Sequence, residues 1–293
     1  MSNQNKGSEL YKGIMYIVFS AFFFALMSVF VRFAGDIPSI QKSFFRNLIS
    51  FFIALFALFK SGKKPEIRKG DLRFLLGRAI FGTIGILCNF YAVDNLLLSD
   101  ASMLNKISPF FSVVFSYLLL KERISLPQAM AVVTAFLGTL FIIKPSAELF
   151  ETPAALIGLL GGICAGAAYT FVRALGLRKV EKSFIVLFFS AFSCLATLPF
   201  LIADFHPMTL KQLLFLIAAG IAAAGGQFSV TSAYCYAPAK EVSVYSYSQL
   251  FFSMIFGFVF FSQLPDILSI IGYVIITATA VGIFIYNKKK QSS

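Results

Sequence analysis

The chain has 293 residues, of which 58% are hydrophobic and only 13% charged, about half the charged fraction of a water-soluble domain. A soluble globule is thereby excluded, and lipid is the main solvent of the chain. The net charge of +12 does not mark a nucleic-acid binder, because Lys and Arg fall in short clusters between apolar runs and build no basic helical face.

A helix crosses the hydrocarbon with roughly 20 apolar residues. Ten such segments follow one another: 12–34, 39–59, 72–95, 99–120, 124–143, 154–175, 183–203, 210–234, 240–261 and 266–286. The first is too long for a signal-peptide core and has no small-residue cleavage site after it, so it reads as a retained helix. Its Phe22 to Phe24, like Phe51-Phe52 in the second segment, are expected to face lipid. Arg46 lies about two turns into the second segment, Arg78 at similar depth in the third and Lys106 in the fourth. Pro109 should kink that fourth helix. Gly77, Gly82 and Gly85 in the third segment, Gly158, Gly162 and Gly166 in the sixth, and the Ala/Gly run 218–226 in the eighth are small-residue stripes suited to close helix packing. The eighth segment ends in Gln227, Ser229, Thr231, Ser232, Tyr234 and Tyr236, and the ninth opens with Ser243, Tyr245, Ser246, Tyr247, Ser248 and Gln249. Cys88, Cys164, Cys194 and Cys235 lie inside apolar runs without metal-pair spacing and read as buried reduced thiols; with His206 the single histidine, no metal or other cofactor is expected.

With the N-terminus inside, 17 Lys and Arg fall on the cytoplasmic side and three, Lys42, Lys144 and Lys211, on the outer side. That split places both termini in the cytoplasm and suits a plasma or inner membrane. A shift of 141 residues brings the halves into register. Phe30-Val31-Arg32 falls on Phe171-Val172-Arg173, Gly85 on Gly226, Phe110-Phe111-Ser112 on Phe251-Phe252-Ser253, and Asp100 on Glu241. The chain therefore reads as two repeats, 10–143 and 154–287. Each holds five crossings, an odd number, so the second must be inverted relative to the first. Inverted repeats are a route to alternating access around a central cavity at the membrane midplane.

Several stretches resemble the EamA pattern of the drug/metabolite transporter superfamily. They are Asn89-Phe90-Tyr91-Ala92-Val93-Asp94, Ser99-Asp100-Ala101-Ser102, Ser108-Pro109-Phe110-Phe111-Ser112 and Lys121-Glu122-Arg123, followed by Gln128 and Gly138, with Ala131 where that family usually has Gly. The second half repeats the pattern more loosely, with Gln263 in place of Glu122, Leu250 in place of Pro109, and Gly272 restoring the Gly. The resemblance implies an all-α, ten-helix membrane fold with the fifth and tenth helices peripheral, and export or exchange of small metabolites. It does not give the solute.

Ionisable groups in hydrocarbon are costly and so mark candidate sites. Arg46, Arg78 and Lys106 have Leu187, Ala219 and Tyr247 as repeat partners, which confines the three cations to the first half. Snorkelling to the headgroups is the plainer reading for each arginine. Arg46 also resembles a scaffold feature of the family. Lys106, flanked by Asn105, Ser108 and Pro109, is the stronger cavity candidate. No Asp or Glu falls in the middle of a segment, so a carboxylate proton relay lacks its groups, and an anionic or zwitterionic solute is favoured. The candidate binding set is Lys106, Asn105, Asn89, Tyr91, Arg46, Arg78, Gln227, Tyr234, Tyr245, Tyr247 and Gln249. The partners expected are a small-molecule solute and the bilayer, with no nucleic acid; a homodimer is left open. The competing readings are a membrane-embedded enzyme, which would need a His/Asp/Glu cluster the sequence lacks, and a channel without alternating access.

Overall fold

The computed structural model describes residues 3–62, 66–96, 98–146 and 152–292 and is helical with short connections throughout them. The first three spans are α1 (Asn3–Phe33), α2 (Ser39–Ser61) and α3 (Asp71–Asn95). The fourth is divided into α4 (Leu98–Asn105) and α5 (Ser108–Leu120), and the fifth is α6 (Leu126–Ile143). The sixth to eighth are α7 (Pro153–Leu177), α8 (Lys182–Ala203) and α9 (Leu210–Tyr236). The ninth consists of α10 (Ala239–Val242), a 3₁₀ stretch (Ser243–Tyr247) and α11 (Ser248–Phe261), and the tenth is α12 (Ile267–Ser292). Among the described residues, ten spans are long and apolar enough to cross a bilayer, in the order the hydropathy predicts. The ends differ most at the termini, where α1 and α12 run on into polar sequence beyond the apolar core.

Two spans expected as single helices are broken. In the fourth, Pro109 occupies the first turn of α5, where its missing N–H costs nothing, and residues 106–107 form the gap. The proline thus separates two helices rather than kinking one. The ninth has no proline at its break. There Ser246 Oγ donates to the Ser243 carbonyl and Ser248 Oγ to the Tyr245 carbonyl, both at 2.6 Å, and these i→i−3 bonds accompany the tighter 3₁₀ winding.

The halves interlock. α1 packs along α9 and α3 along α7; α5 packs on α7 and α1 on α11; α2 lies against α8 and α6 against α12. Under the 141-residue offset, each of these pairings maps onto another of the set or onto itself. Local backbone follows the same offset. Lys121 and Ser262 both take left-handed conformations (φ 55° and 52°). The N–H groups of the following residues, Glu122 and Gln263, return to the carbonyls of Ser116 and Gly257 at 3.4 and 3.0 Å. Connections meet in two groups: Lys144 pairs with Asp266 and the Gln41 amide clasps the His206 backbone, while Arg178 pairs with Asp71 and Lys240 reaches the Arg123 carbonyl. If each span crosses once, the first group lies on one side of the membrane and the second on the other.

Two expectations about side chains are corrected. Phe22 does not face lipid but packs edge-on against Phe252 and Phe256, while Phe23 and Phe24 lie over Gly225 and Gly226 of α9. Glycines there leave room for rings between helices, which the composition of the run alone does not reveal. All four cysteines are free thiols, but only Cys164 is fully buried.

The glycine stripe of α7 holds the broken fourth span. Gly158 faces Leu104, Gly162 faces the Leu104 carbonyl and Ile107, and Gly166 faces Phe111 and the Ser112 backbone. A Cβ at Gly162 would overlap the Leu104 carbonyl oxygen at the break itself. Gly162→Val is expected to cost about 1–3 kcal/mol of stability through overpacking, read as a lowered Tm and yield of the detergent-purified protein. Gly282→Ala, at a position with open space around it, is the control and should leave the Tm unchanged.

Candidate functional site

The gap between α4 and α5 places Lys106 inside the protein rather than toward lipid. Its ammonium donates to Gln249 Oε1 at 2.6 Å. Its carbonyl accepts a bond from the Tyr247 hydroxyl at 3.2 Å. Residues 106 and 247 are equivalent under the 141-residue offset, so corresponding points of the two halves touch here. Asn105 Nδ2 donates to Asn89 Oδ1 of α3 at 3.0 Å. Asn105, Lys106, Pro109 and Gln249 line a cavity of about 50 Å³ together with Ser20 and Phe24 of α1, Tyr169 of α7 and Tyr234 of α9. By volume it holds a few waters. No carboxylate among the described residues lines it.

One wall is a pair of stacked tyrosines. The rings of Tyr169 and Tyr234 lie 5.2 Å apart and 10° from parallel. The Tyr234 hydroxyl is 3.3 Å from Ser243 Oγ and 3.4 Å from Ser112 Oγ; Ser112 and Ser243 are themselves 2.8 Å apart. This hydroxyl cluster joins α5, α9 and the 3₁₀ stretch, and satisfies groups that the bilayer would otherwise leave unpaired.

The arginines are buried, not snorkelled. Arg46 is 8% exposed and Arg78 4%. Arg78 Nη2 donates to Gln227 Oε1 at 2.9 Å, and its guanidinium lies 3.8 Å from the Phe189 ring centre. Gly82, one turn along α3, leaves the space that Arg78 Nη1 fills. Cys194, on the helix α8 that also carries Phe189, lies 4.0 Å from the Phe44 carbonyl, two residues before Arg46.

Of the residues singled out from sequence, Lys106, Asn105, Tyr234 and Gln249 line the cavity, with Asn89 bound to its edge. Arg78 and Gln227 meet beside it, between α3 and α9, and Arg46 is buried on α2. Three others lie elsewhere. Tyr91 is 45% exposed, because two residues from Asn89 is about 200° around a helix. Tyr245 turns to a separate groove of about 290 Å³ against α12, lined almost wholly by apolar side chains such as Phe251, Ile276 and Phe284. Tyr247 is fully buried and props the Lys106 backbone instead of facing the cavity. Tyr169 went unnoticed in the sequence; its only signal is a lone tyrosine in a Gly/Ala-rich helix.

An ion pair also went unnoticed. Arg173 Nε meets Glu122 Oε1 at 2.9 Å, and Arg173 Nη1 donates to the carbonyls of Tyr234 and Cys235 at 3.3 Å each. Ser116 Oγ donates to the other Glu122 oxygen. These bonds tie the end of the fourth span to α7 and α9. The repeat partners of this pair are Gln263 and Arg32, and Arg32 instead lies 4.1 Å from the Phe261 ring centre. The signal was the Lys121-Glu122-Arg123 element beside the recurring Arg32 and Arg173.

Comparison with known proteins adds to this geometry. A profile of the EamA-like transporter family matches residues 11–144 and again 152–285. The chain is similar to the pseudopaline exporter CntI of Pseudomonas aeruginosa, at 32% identity over 276 residues that span 94% of this chain and 96% of that protein. It is also similar to human solute carrier family 35 member G1, at 26% identity over 96% of this chain and 80% of that one. The riboflavin transporter of Vibrio cholerae is 24% identical over 96% of this chain and 95% of its own. A solved crystal structure superposes with a TM-score of 0.76 at 16% identity, over 96% of this chain and 99% of its own, which bears on the fold alone.

The Glu122–Arg173 tie makes a direct prediction. In a chain whose Cys88, Cys164 and Cys194 are replaced by Ser, Glu122→Gln should speed labelling of Cys235 by a water-soluble maleimide several-fold. Glu66→Gln, at an exposed carboxylate in the connection before α3, should not.

Proposed function

Because this chain belongs to the EamA-like transporter family, we propose that it is a secondary carrier moving a small anionic or zwitterionic metabolite across the plasma membrane. It works by alternating access, as an exporter or exchanger, with both termini cytoplasmic. Its moving parts are two oppositely threaded five-span repeats, 10–143 and 154–287. Transport rather than catalysis is the activity of the family and of the relatives named for a function.

One observation carries the choice of solute. Lys106 is a cation at the seam of the two halves, its ammonium held by a neutral amide and by no carboxylate among the described residues. A charge so placed favours an opposite charge on the solute over water. The cavity of about 50 Å³ is well below the roughly 300–1,000 Å³ of ligand pockets. A metabolite therefore enters only when the halves part, as an alternating mechanism requires and a fixed pore does not. The exchange pattern of helix pairings, and the contact of Lys106 with its own repeat partner, support two inverted halves able to part at either end. The relative named as an exporter supports outward movement.

A thermal-shift screen of small metabolites on the purified protein tests this reading, followed by counterflow in proteoliposomes with whatever stabilises it. Anionic or zwitterionic solutes should stabilise the protein and show saturable counterflow. Lys106→Gln should cut that flux by about tenfold or more, the scale of one charge-assisted bond, while Lys106→Arg should keep part of it. Stabilisation by cationic solutes alone, undiminished in Lys106→Gln, rejects the reading. Gln249→Glu is the complementary change. It gives the ammonium a carboxylate partner, so the Tm should hold while flux of an anionic solute falls to background.

A further inference from the structure

We propose that Arg46 and Arg78 form a second anion subsite beside the Lys106 cavity, so that the transported solute carries two separated anionic groups, one for each. This rests on the reading of Lys106 given above and names the solute class within it.

The contrast with Arg173 is the starting point. Arg173 is a structural arginine with its donors spent on Glu122 and two helix-end carbonyls. Arg46 and Arg78 are at least as deeply buried, yet the Nε of each has no hydrogen-bond partner. Arg78 spends one donor on the neutral Gln227 amide. α2 presents further unpartnered groups beside Arg46. Both amide atoms of Asn47, 1% exposed and adjacent to Arg46, are free of partners, as is the hydroxyl of Ser43 one turn before it. Polar groups gathered at such density in hydrocarbon are ordinarily bonded to something. Two guanidinium forks with neutral amides and hydroxyls suit the oxygens of a carboxylate or phosphate.

The subsites are separate and connected. Gln227, which holds Arg78, and Tyr234, which lines the Lys106 cavity, are seven residues apart on α9. That is about 10 Å along the axis and nearly the same face. A solute lying along the tyrosine stack would thus have a positive group at each end.

The test uses the full chain in nanodiscs and reads binding by calorimetry. The probes are adipate and suberate, the monomethyl ester of each, and 6-phosphonohexanoate. The dianions are expected to bind roughly tenfold or more tightly than the esters. Arg46→Gln and Arg78→Gln should each erase that difference, and Lys106→Gln should weaken every probe. Arg78→Lys keeps the charge but loses the fork and should fall between wild type and Arg78→Gln, which serves if the Gln variants do not fold. A phosphonate advantage over adipate assigns the arginine pair to phosphate, and the reverse assigns it to carboxylate. Esters binding as tightly as dianions, with the loss confined to Lys106→Gln, overturn the second subsite and leave the Lys106 reading standing. No binding of any probe overturns both.

Discussion

Inside a bilayer no backbone carbonyl and no charge can be left to water, and the gap at Lys106–Ile107 exposes one of each. The other half of the protein takes up both. Tyr247 donates to the carbonyl, and Gln249 accepts from the ammonium. The first half thus does not close its own break. The contact that lets the fourth span be discontinuous is therefore also a contact that joins the halves, and it places a cavity-lining cation on the seam. The glycines of α7 serve the same end, because the broken backbone approaches that helix more closely than any side chain would permit.

The helix count and the order of spans were legible in sequence because hydrophobic length is a strong signal in membranes. The two breaks were only half legible. Pro109 announced the first, although as a kink. The second depends on serine hydroxyls turning back onto their own helix, a choice that periodicity does not encode. In the site, charge was the readable feature: Arg46 and Arg78 are buried and Lys106 is half-buried against Gln249, as their cost in hydrocarbon demands. Aromatic residues were less readable. Tyr91 and Tyr245 look as suitable as Tyr234 in a sequence, but the angle around the helix turns one outward and the other toward α12. Tyr169 carries no charge and no motif, and only its stacking on Tyr234 reveals it.

Near-symmetry in the scaffold contrasts with asymmetry in the charges. Helix pairings and turn geometry repeat at an offset of 141 residues, while Arg46, Arg78 and Lys106 have the uncharged Leu187, Ala219 and Tyr247 as counterparts. The second half supplies two amides and a ring, through Gln227, Gln249 and Phe189, to the cations of the first. In the proposed site, recognition draws on both halves, and separating them takes Arg78 and Lys106 away from the groups that hold them.

The ends of the molecule repeat this division. One end is tied by Glu122 and Arg173, a charged pair with backbone acceptors around it; the equivalent positions at the other end are Gln263 and Arg32, where a neutral amide replaces the carboxylate. Two halves of identical composition would give mirror-related states of equal energy. The other end has the exposed Lys144–Asp266 pair, which contributes little in high dielectric, but no partly buried charged tie, so opening the first end must break an ion pair flanked by carbonyls, whereas opening the other separates an arginine from an aromatic face and a solvated pair. The first carries the larger electrostatic cost, because a partly buried pair that loses its partner strands two charges. The buried cations act on the same balance. Their mutual repulsion is greatest when nothing negative lies among them, and a bound anionic solute relieves it. In the proposed cycle, the solute offsets an electrostatic cost that the empty carrier bears alone, which links reorientation to loading without requiring a titrating carboxylate in the cavity.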